Sequence, residues 1–233
     1  MTVLDHLENI DRIIGYPQGR GSGILTVLEE LDKEGVSMKD GLGKAVGPSF
    51  SEETAATLYE TRTVKSSLGG NLVLFYTTEC VFSNYHPASL SIDGNHFPSS
   101  EHYFMWTKAK TFKDEKTAEE ILSAGSPAEA KRLGRQVDNF KDEVWKGASI
   151  RLMTVACYRK FQQNPSLRKA LFSTVGSVLV EAAPSDRIWG IGMGTTNKNA
   201  ADPKKWKGTN NLGRILTVIR EHMICSKLYD HEL

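Results

Sequence analysis

The chain has 233 residues, of which 39% are hydrophobic and 24% are charged, proportions typical of an ordinary soluble globular protein. Its 29 basic and 28 acidic residues leave a net charge of +1, which excludes the broad positive surface of a strong, non-specific nucleic-acid binder. The three cysteines are too far apart for a metal motif or a disulfide framework, and no apolar run reaches the roughly 18 residues of a membrane span. We therefore expect a cytoplasmic or nucleocytoplasmic protein without a membrane segment.

The first 70 residues differ in pattern from the rest of the chain. Apolar residues recur there at helical spacing in two runs, Leu4, Leu7, Ile10, Ile13 and Ile14, then Ile24, Leu25, Leu28 and Leu31. A third helix is predicted to begin at Ser51. The glycine-rich turn at 19–23 lacks the preceding strand that a dinucleotide-binding loop needs. We predict that residues 1–70 form a helical N-terminal extension that carries no chemical motif.

From Asn71 onwards, short strands are predicted among the helices. Residues 72–76 are an apolar run of the kind that forms a buried strand, and residues 178–180 are another. Asp93-Gly94 lies between Ile92 and His96 and predicts a hairpin with a type I′ turn.

The helices of this second part are predicted from capping residues and apolar spacing. They begin after Ser99, at Thr117, after Ser126, at Asp142, after Asn164 and after Asn210. Because strands and helices mix without a regular βαβ alternation, residues 71–233 are predicted to form a helix-rich single α+β domain around a small sheet.

The helix after Ser99 places two charged residues within an apolar stripe. Glu101 and Lys108 share one helix face with Phe104, Met105 and Phe112. Burying either charge alone is costly, so such residues are paired, lie at the edge of the stripe, or take part in chemistry. A salt bridge and a chemical role are equally good interpretations of this segment alone.

A second concentration of unusual residues directly follows the strand at 178–180. Asp186, Trp189, Gly190 and Gly192 are typical of a loop where a planar group stacks and a backbone approaches closely. A structural turn around a packed tryptophan is the alternative interpretation. The final helix begins near Asn210, where free backbone N–H groups favour an anion; a plain helix cap there is compatible with that role.

Six segments in this order resemble the NADAR superfamily, also called YbiA-like, between about Leu72 and Met223. They are FSN, SSEHYFMWTKA, SPAEAKRLGR, KFQQNPSLRKAL, EAAPSDRIWGIG and GTNNLG. The motifs are long and ordered, which makes chance similarity a poor explanation. The resemblance does not cover residues 1–70, and it implies a YbiA-like fold for the rest.

The resemblance implies an N-glycosidase that cuts the C–N bond at the anomeric carbon of a phosphorylated ribose. One branch of the family acts on early riboflavin-pathway intermediates, and another removes ADP-ribose from guanine in nucleic acid. We expect the second activity, with ADP-ribosylated nucleic acid as the partner. The alternatives are hydrolysis of a small ribosylaminouracil phosphate and an ADP-ribose-binding module without turnover.

Breaking this bond builds positive charge on the ribose, so the site needs an anion, a proton donor and a nucleophile. Glu101 is expected to act as acid or base or to stabilise the charge, and Asp186 to orient water or a ribose hydroxyl. Lys108 offers a second route, attack on the anomeric carbon to form a Schiff base, if burial lowers its pKa. Trp189 is expected to close the other side of the site.

Further residues are implied as substrate contacts by the same resemblance. They are Ser83, Asn84, Arg135, Glu181, Gly190 and Asn210. Neither a cofactor nor a metal is expected, because His86, His96 and His102 have no ligand spacing.

Overall fold

The computed structural model describes residues 12–14, 22–37 and 61–232. The strands are β1 (Thr61–Lys65), β2 (Asn71–Phe75), β3 (Leu90–Ile92), β4 (Asn95–Phe97) and β5 (Ser177–Glu181). The helices are α1 (Ser22–Ser37), α2 (Ser100–Thr111), α3 (Glu115–Leu122), α4 (Pro127–Gly134), α5 (Asp142–Gln163), α6 (Pro165–Phe172) and α7 (Asn211–Ile224). Short 3₁₀ turns lie at Lys198–Ala201, Pro203–Lys205 and Lys227–Glu232.

A three-stranded sheet lies at the centre of the fold, in the order β1–β2–β5. The middle strand β2 pairs antiparallel with β1 and parallel with β5. It is an unbroken apolar run because both of its faces are covered, and Leu72, Leu74 and Phe75 are fully buried. Helix α7 packs on β5, and α5 packs between α2 and α7. The predicted α+β fold, rich in helices around a small sheet, is confirmed.

Helix α2 is buried on more than the single apolar face that the sequence predicted. Ser99 caps its first turn by accepting a hydrogen bond from the His102 backbone N–H at 3.4 Å. Eight of its twelve residues are buried, because α3, α4 and α5 pack around it. The side chain of His102 lies within this packing, between Ser99 Oγ and the Ala124 carbonyl.

The predicted hairpin and long helix are confirmed, with one correction. Asp93 and Gly94 both have positive φ, 51° and 76°, as a type I′ turn requires. Helix α5 begins at the predicted Asp142 and runs for 22 residues, but Asn164 does not cap α6 through its side chain. Its amide donates instead to the Lys160 carbonyl at 2.8 Å and to the Ser89 carbonyl at 3.0 Å, joining the end of α5 to the hairpin.

The described part of the N-terminal extension is not purely helical. Residues 61–65 form strand β1, so the helical prediction is wrong for them, and the sheet begins before the predicted boundary at residue 70. Helix α1 packs on α5 and α7 and contributes the fully buried Leu28 to the same core. The helix predicted at Ser51 and most of the first apolar run lie outside the described residues. No helix within 22–37 or 61–232 is long and apolar enough to cross a membrane.

Asp32 joins α1 to the helices beneath it. Its carboxylate accepts hydrogen bonds from the Tyr158 hydroxyl on α5 and from His222 Nε2 on α7, the latter at 2.9 Å. Burial alone would raise the pKa of Asp32, but these two hydrogen bonds outweigh it and hold the pKa below its ordinary value. The side chain therefore acts as a charged link between three helices.

We predict that Asp32→Ala destabilises the protein, because it leaves two partly buried donors without their acceptor. The expected loss in the free energy of unfolding is about 1–3 kcal/mol, measured by urea denaturation. The matched control is Glu30→Ala on the same helix as Asp32, which removes an exposed ion pair with Arg151 of α5 and should cost about 1 kcal/mol or less. Equal losses in the two variants would contradict this role for Asp32.

Candidate active site

Three carboxylates from separate segments lie around one lysine. Glu101 lies in the first turn of α2, Glu181 ends β5, and Asp186 lies in the loop that follows. Lys131 on α4 places its Nζ 3.8 Å from Glu101 Oε1, and all three carboxylates raise its pKa. We call Glu101, Glu181, Asp186 and Lys131 the carboxylate cluster.

Burial sets the protonation of this cluster. It raises the pKa of Glu101, and the Asp186 charge adds to the effect, whereas Lys131 opposes it. Burial also raises the pKa of Glu181, to about 8, with Asp186 again adding to it. Burial lowers the pKa of Lys131, but the negative charge of Glu101 and its neighbours outweighs this, so the ammonium form is favoured.

Glu181 has an unusual environment within the cluster. Its Oε2 atom is buried and has no hydrogen-bond partner among the residues that the structure describes. Glu101, by contrast, has the Lys131 ammonium beside it. A buried carboxyl oxygen without a donor favours the protonated acid, whereas an adjacent cation favours the anion. Burial thus raises the pKa of both glutamates, but the anion of Glu101 has a cation directly beside it, whereas Glu181 Oε2 has no donor.

The end of β5 is held in place by Asn210. Its Oδ1 accepts from the Glu181 backbone N–H at 2.9 Å, and its Nδ2 donates to the Leu179 carbonyl at 3.1 Å. The residue has a positive φ of 52° and makes no side-chain cap to α7, so the predicted plain cap is wrong. Both polar groups of the fully buried side chain are used on the strand. Asn210 thus positions Glu181, and its role as a substrate contact stays a prediction.

Asp186 organises the loop that leads away from β5. Its Oδ1 accepts from the backbone N–H groups of Ile188 and Trp189, at 2.8 and 2.7 Å. Gly190 is buried and packs so closely that a Cβ there would lie 2.8 Å from the Glu181 carbonyl. The close backbone approach predicted at Gly190 is thus a contact between this loop and the end of strand β5. Contact of this glycine with substrate stays a prediction.

Lys108 lies apart from the Glu101 carboxylate. Its Nζ donates to the Gly134 carbonyl at 2.7 Å and lies 4.2 Å from the centre of the Phe140 ring. Glu101 forms its ion pair with Lys131 on α4, and not with Lys108 on its own helix face. Burial, aided by the nearby Arg135, lowers the pKa of Lys108.

The remaining predicted residues fall in different places. Asn84 is buried, and its side chain contacts Met153 Sδ and Cys157 Sγ in the core. Ser83 Oγ accepts from the Tyr85 backbone N–H within its own turn. Their roles as substrate contacts stay predictions.

Trp189 and Arg135 lie nearer to the carboxylate cluster. Trp189 is half-buried and packs edge-on against Phe104, with the ring centres 5.3 Å apart. Arg135 is exposed, and its positive charge lowers the pKa of both Glu101 and Lys108.

The sequence patterns missed Lys131 and Tyr85. Lys131 Nζ lies 5.4 Å from the centre of the Tyr85 ring, and burial together with the Glu101 charge raises the pKa of that tyrosine. Lys131 and Arg135 are four residues apart, a spacing that places both on one face of α4. Because Arg135 was predicted to be in the site, this spacing could have indicated Lys131 as well. No group of His, Cys, Asp and Glu within 12–14, 22–37 or 61–232 is arranged to hold a metal ion.

Comparison with known proteins agrees with this architecture. Protein irg-1 of Caenorhabditis elegans is 38% identical over 167 residues, which are 65% of this chain and 79% of irg-1. The N-glycosidase YbiA of Escherichia coli is 34% identical over 159 residues, 67% of this chain and 91% of YbiA. The NMR structure of Escherichia coli YbiA aligns with 69% of this chain and 89% of its own, with a TM-score of 0.57.

A longer relative carries a different name. The riboflavin biosynthesis protein VVA0006 of Vibrio vulnificus is 30% identical over 163 residues, which are 69% of this chain and 41% of that protein. Residues 74–224 of this chain match the NADAR domain family. This match spans more than half of the chain and includes every member of the carboxylate cluster, and the chain therefore belongs to the NADAR domain family.

Proposed function

We propose that this protein is an N-glycosidase that removes ADP-ribose from ADP-ribosylated guanine bases in nucleic acid. The observation that carries the proposal is the pairing of a partnerless buried carboxyl, Glu181, with a carboxylate held beside an ammonium, Glu101. Hydrolysis of a glycosidic bond needs one carboxyl group in each state. Names of relatives such as N-glycosidase YbiA support the same reaction class.

In the proposed reaction, each residue of the carboxylate cluster has a different role. The C1′–N bond breaks as Glu181 gives its proton to the leaving amine of guanine, and the positive charge on the ribose faces the Glu101 carboxylate. Water adds its oxygen to C1′, and Asp186 orients that water and accepts its proton. Lys131 keeps Glu101 anionic, and Trp189 closes the side of the site formed by the loop.

Water is the better nucleophile in this arrangement. Lys131 lies among carboxylates that raise its pKa, so it is protonated at neutral pH and cannot attack. Lys108, predicted as the Schiff-base nucleophile, uses its Nζ on the Gly134 carbonyl. The Schiff-base route through either lysine is a competing mechanism that chemical trapping distinguishes.

Two other functions compete with this proposal. The name of the Vibrio vulnificus relative favours a small riboflavin-pathway intermediate, which would need the same catalytic groups and differ only in its base. An ADP-ribose-binding module without turnover would have no use for a carboxyl that holds a proton near pH 8. The net charge of +1 fits a nucleic acid held mainly through its modified nucleotide.

We predict that the protein releases ADP-ribose from an oligonucleotide carrying ADP-ribosylated guanosine. Glu101→Gln should lower kcat by a factor on the order of 10²–10⁴, because it removes the anion that faces the developing charge. The matched control is Glu119→Gln, an exposed glutamate on α3 that should keep wild-type activity. Release is followed by chromatography of free ADP-ribose.

Three results would count against parts of this prediction. Cleavage of ribosylaminouracil phosphate but not of modified guanosine would assign the riboflavin intermediate. Binding of ADP-ribose with no release from any substrate would assign a binding module. A lysine adduct trapped by borohydride would replace water attack by the Schiff-base mechanism.

We predict that activity falls as the pH rises through about 8, because Glu181 then loses the proton that the leaving amine needs. The free energy of unfolding should also fall as the pH rises from about 4.5 to about 8. The pKa of Glu181 in the folded protein, about 8, lies above its ordinary value of 4.5, so the folded state holds this proton more tightly than the unfolded state does. The loss is up to about 1.4 kcal/mol per pH unit. Glu181→Gln should remove it.

The measurement is kcat/KM and the urea midpoint of both proteins at pH 6 and pH 8. Wild-type stability should drop between these values more than that of Glu181→Gln, whose activity is low at both. A variant that keeps the wild-type pH dependence of stability, with equal activity, would show that Glu181 is not the buried acid.

A further inference from the structure

Lys160 on α5 is a buried cation that the proposed reaction does not use. Its side chain is only 1% exposed, and no carboxylate among the described residues forms an ion pair with it. The Nζ atom donates to the Ser83 carbonyl at 2.8 Å. Burial lowers the pKa of Lys160 to about 8, so the ammonium form still predominates at pH 7. Burying an ammonium without an anion is costly, which points to a role beyond packing.

The Ser83 carbonyl belongs to a tight turn that is held on one face of α5. This oxygen accepts from the Lys160 ammonium and also from the His86 backbone N–H, at 3.2 Å. The side chain of Asn84, in the same turn, contacts Cys157. Cys157 is three residues before Lys160 and therefore lies on the same face of the helix. We call this segment the anchored turn, residues 83–86.

The anchored turn contacts the carboxylate cluster at two points. The Asn84 carbonyl accepts from the Glu101 backbone N–H at 3.1 Å. This N–H lies in the first turn of α2, where a helix has no partner of its own for its N–H groups. Tyr85 follows Asn84, and its ring centre lies 5.4 Å from Lys131 Nζ. The turn thus contacts both members of the ion pair between Glu101 and Lys131.

We propose that Lys160 is a positioning residue that, through the anchored turn, holds Glu101 in place beside Lys131. The inference rests on the proposed function, because the position of Glu101 matters for catalysis only if its carboxylate faces the ribose. Lys160 is too enclosed to touch substrate, and its Nζ is used on the Ser83 carbonyl. The stability lost by burying this charge is then the counterpart of a well-placed site.

A packing role for Lys160 makes the opposite prediction. If the lysine only stabilised the fold, Lys160→Met would lower the urea midpoint and leave kcat of the folded molecules unchanged. If it is a positioning residue, the urea midpoint should equal or exceed that of the wild type, because methionine fills most of the space without a buried charge. The Ser83 carbonyl would still have the His86 N–H as a donor.

The first measurement is hydrogen exchange of the Glu101 backbone N–H by NMR, which needs no substrate. Lys160→Met should speed this exchange by roughly tenfold, because the Asn84 carbonyl is no longer held as its acceptor. The Ala109 N–H, further along α2, should keep its wild-type rate.

The second measurement is the kinetics of cleavage of the oligonucleotide that carries ADP-ribosylated guanosine. Lys160→Met should lower kcat by roughly ten- to a hundredfold with little change in KM, as expected for a misplaced catalytic group. Lys160→Gln keeps an N–H donor on a side chain one atom shorter. It should lie between the wild type and Lys160→Met in both measurements, and it replaces Lys160→Met if that variant does not fold. The matched control is Lys146→Met, an exposed lysine on the same helix, which should behave as wild type.

Wild-type exchange at Glu101 in Lys160→Met would overturn the positioning role, whatever its kcat. A lower urea midpoint with unchanged kcat would overturn it as well. Faster exchange at Glu101, in a protein whose wild type cuts no N-glycosidic bond, would leave the placement of Glu101 by Lys160 intact and refute the proposed function. Equal cleavage by the wild type and Lys160→Met would support the proposed function and refute the role of Lys160.

Discussion

The ion pair between Lys131 and Glu101 is the contact on which the site depends. Three carboxylates so close to one another repel, and the Lys131 ammonium lies among them. The pair forms because α4 lies unusually close to α2: a Cβ on Gly134 would lie 2.2 Å from Met105 Sδ. Lys131 is one turn before Gly134, and Glu101 is one turn before Met105. The close approach of the two helices thus brings the two charges together.

A second close approach places Glu181. A Cβ on Gly213 would lie 2.2 Å from the Leu179 carbonyl, so only glycine lets α7 lie so close to β5. Asn210 then reaches the edge of the strand and fixes its last residues. The glutamate at the strand end consequently has a fixed backbone and a side chain enclosed by packing. That combination keeps a carboxyl dry and raises its pKa.

The sequence predicted local structure better than contacts between distant segments. The hairpin at Asp93-Gly94 and the helix after Ser99 follow from turn and capping chemistry, which acts over a few residues. The partner of Glu101 could not be predicted in this way, because helical spacing relates residues of one helix and says nothing about Lys131 on another. The prediction that Asn210 caps α7 was wrong for a similar reason. Its side chain has the chemistry of a helix cap, but tertiary packing directs it to β5 instead.

The distribution of charge around the carboxylate cluster has a chemical consequence. Glu101, Glu181 and Asp186 all lie near Lys131, whereas Lys108 donates to the Gly134 carbonyl. Three acidic side chains around one ammonium leave an excess of acidic groups there. Such an excess suits a reaction that builds positive charge on a carbon of the substrate, as the cleavage of an N-glycosidic bond does.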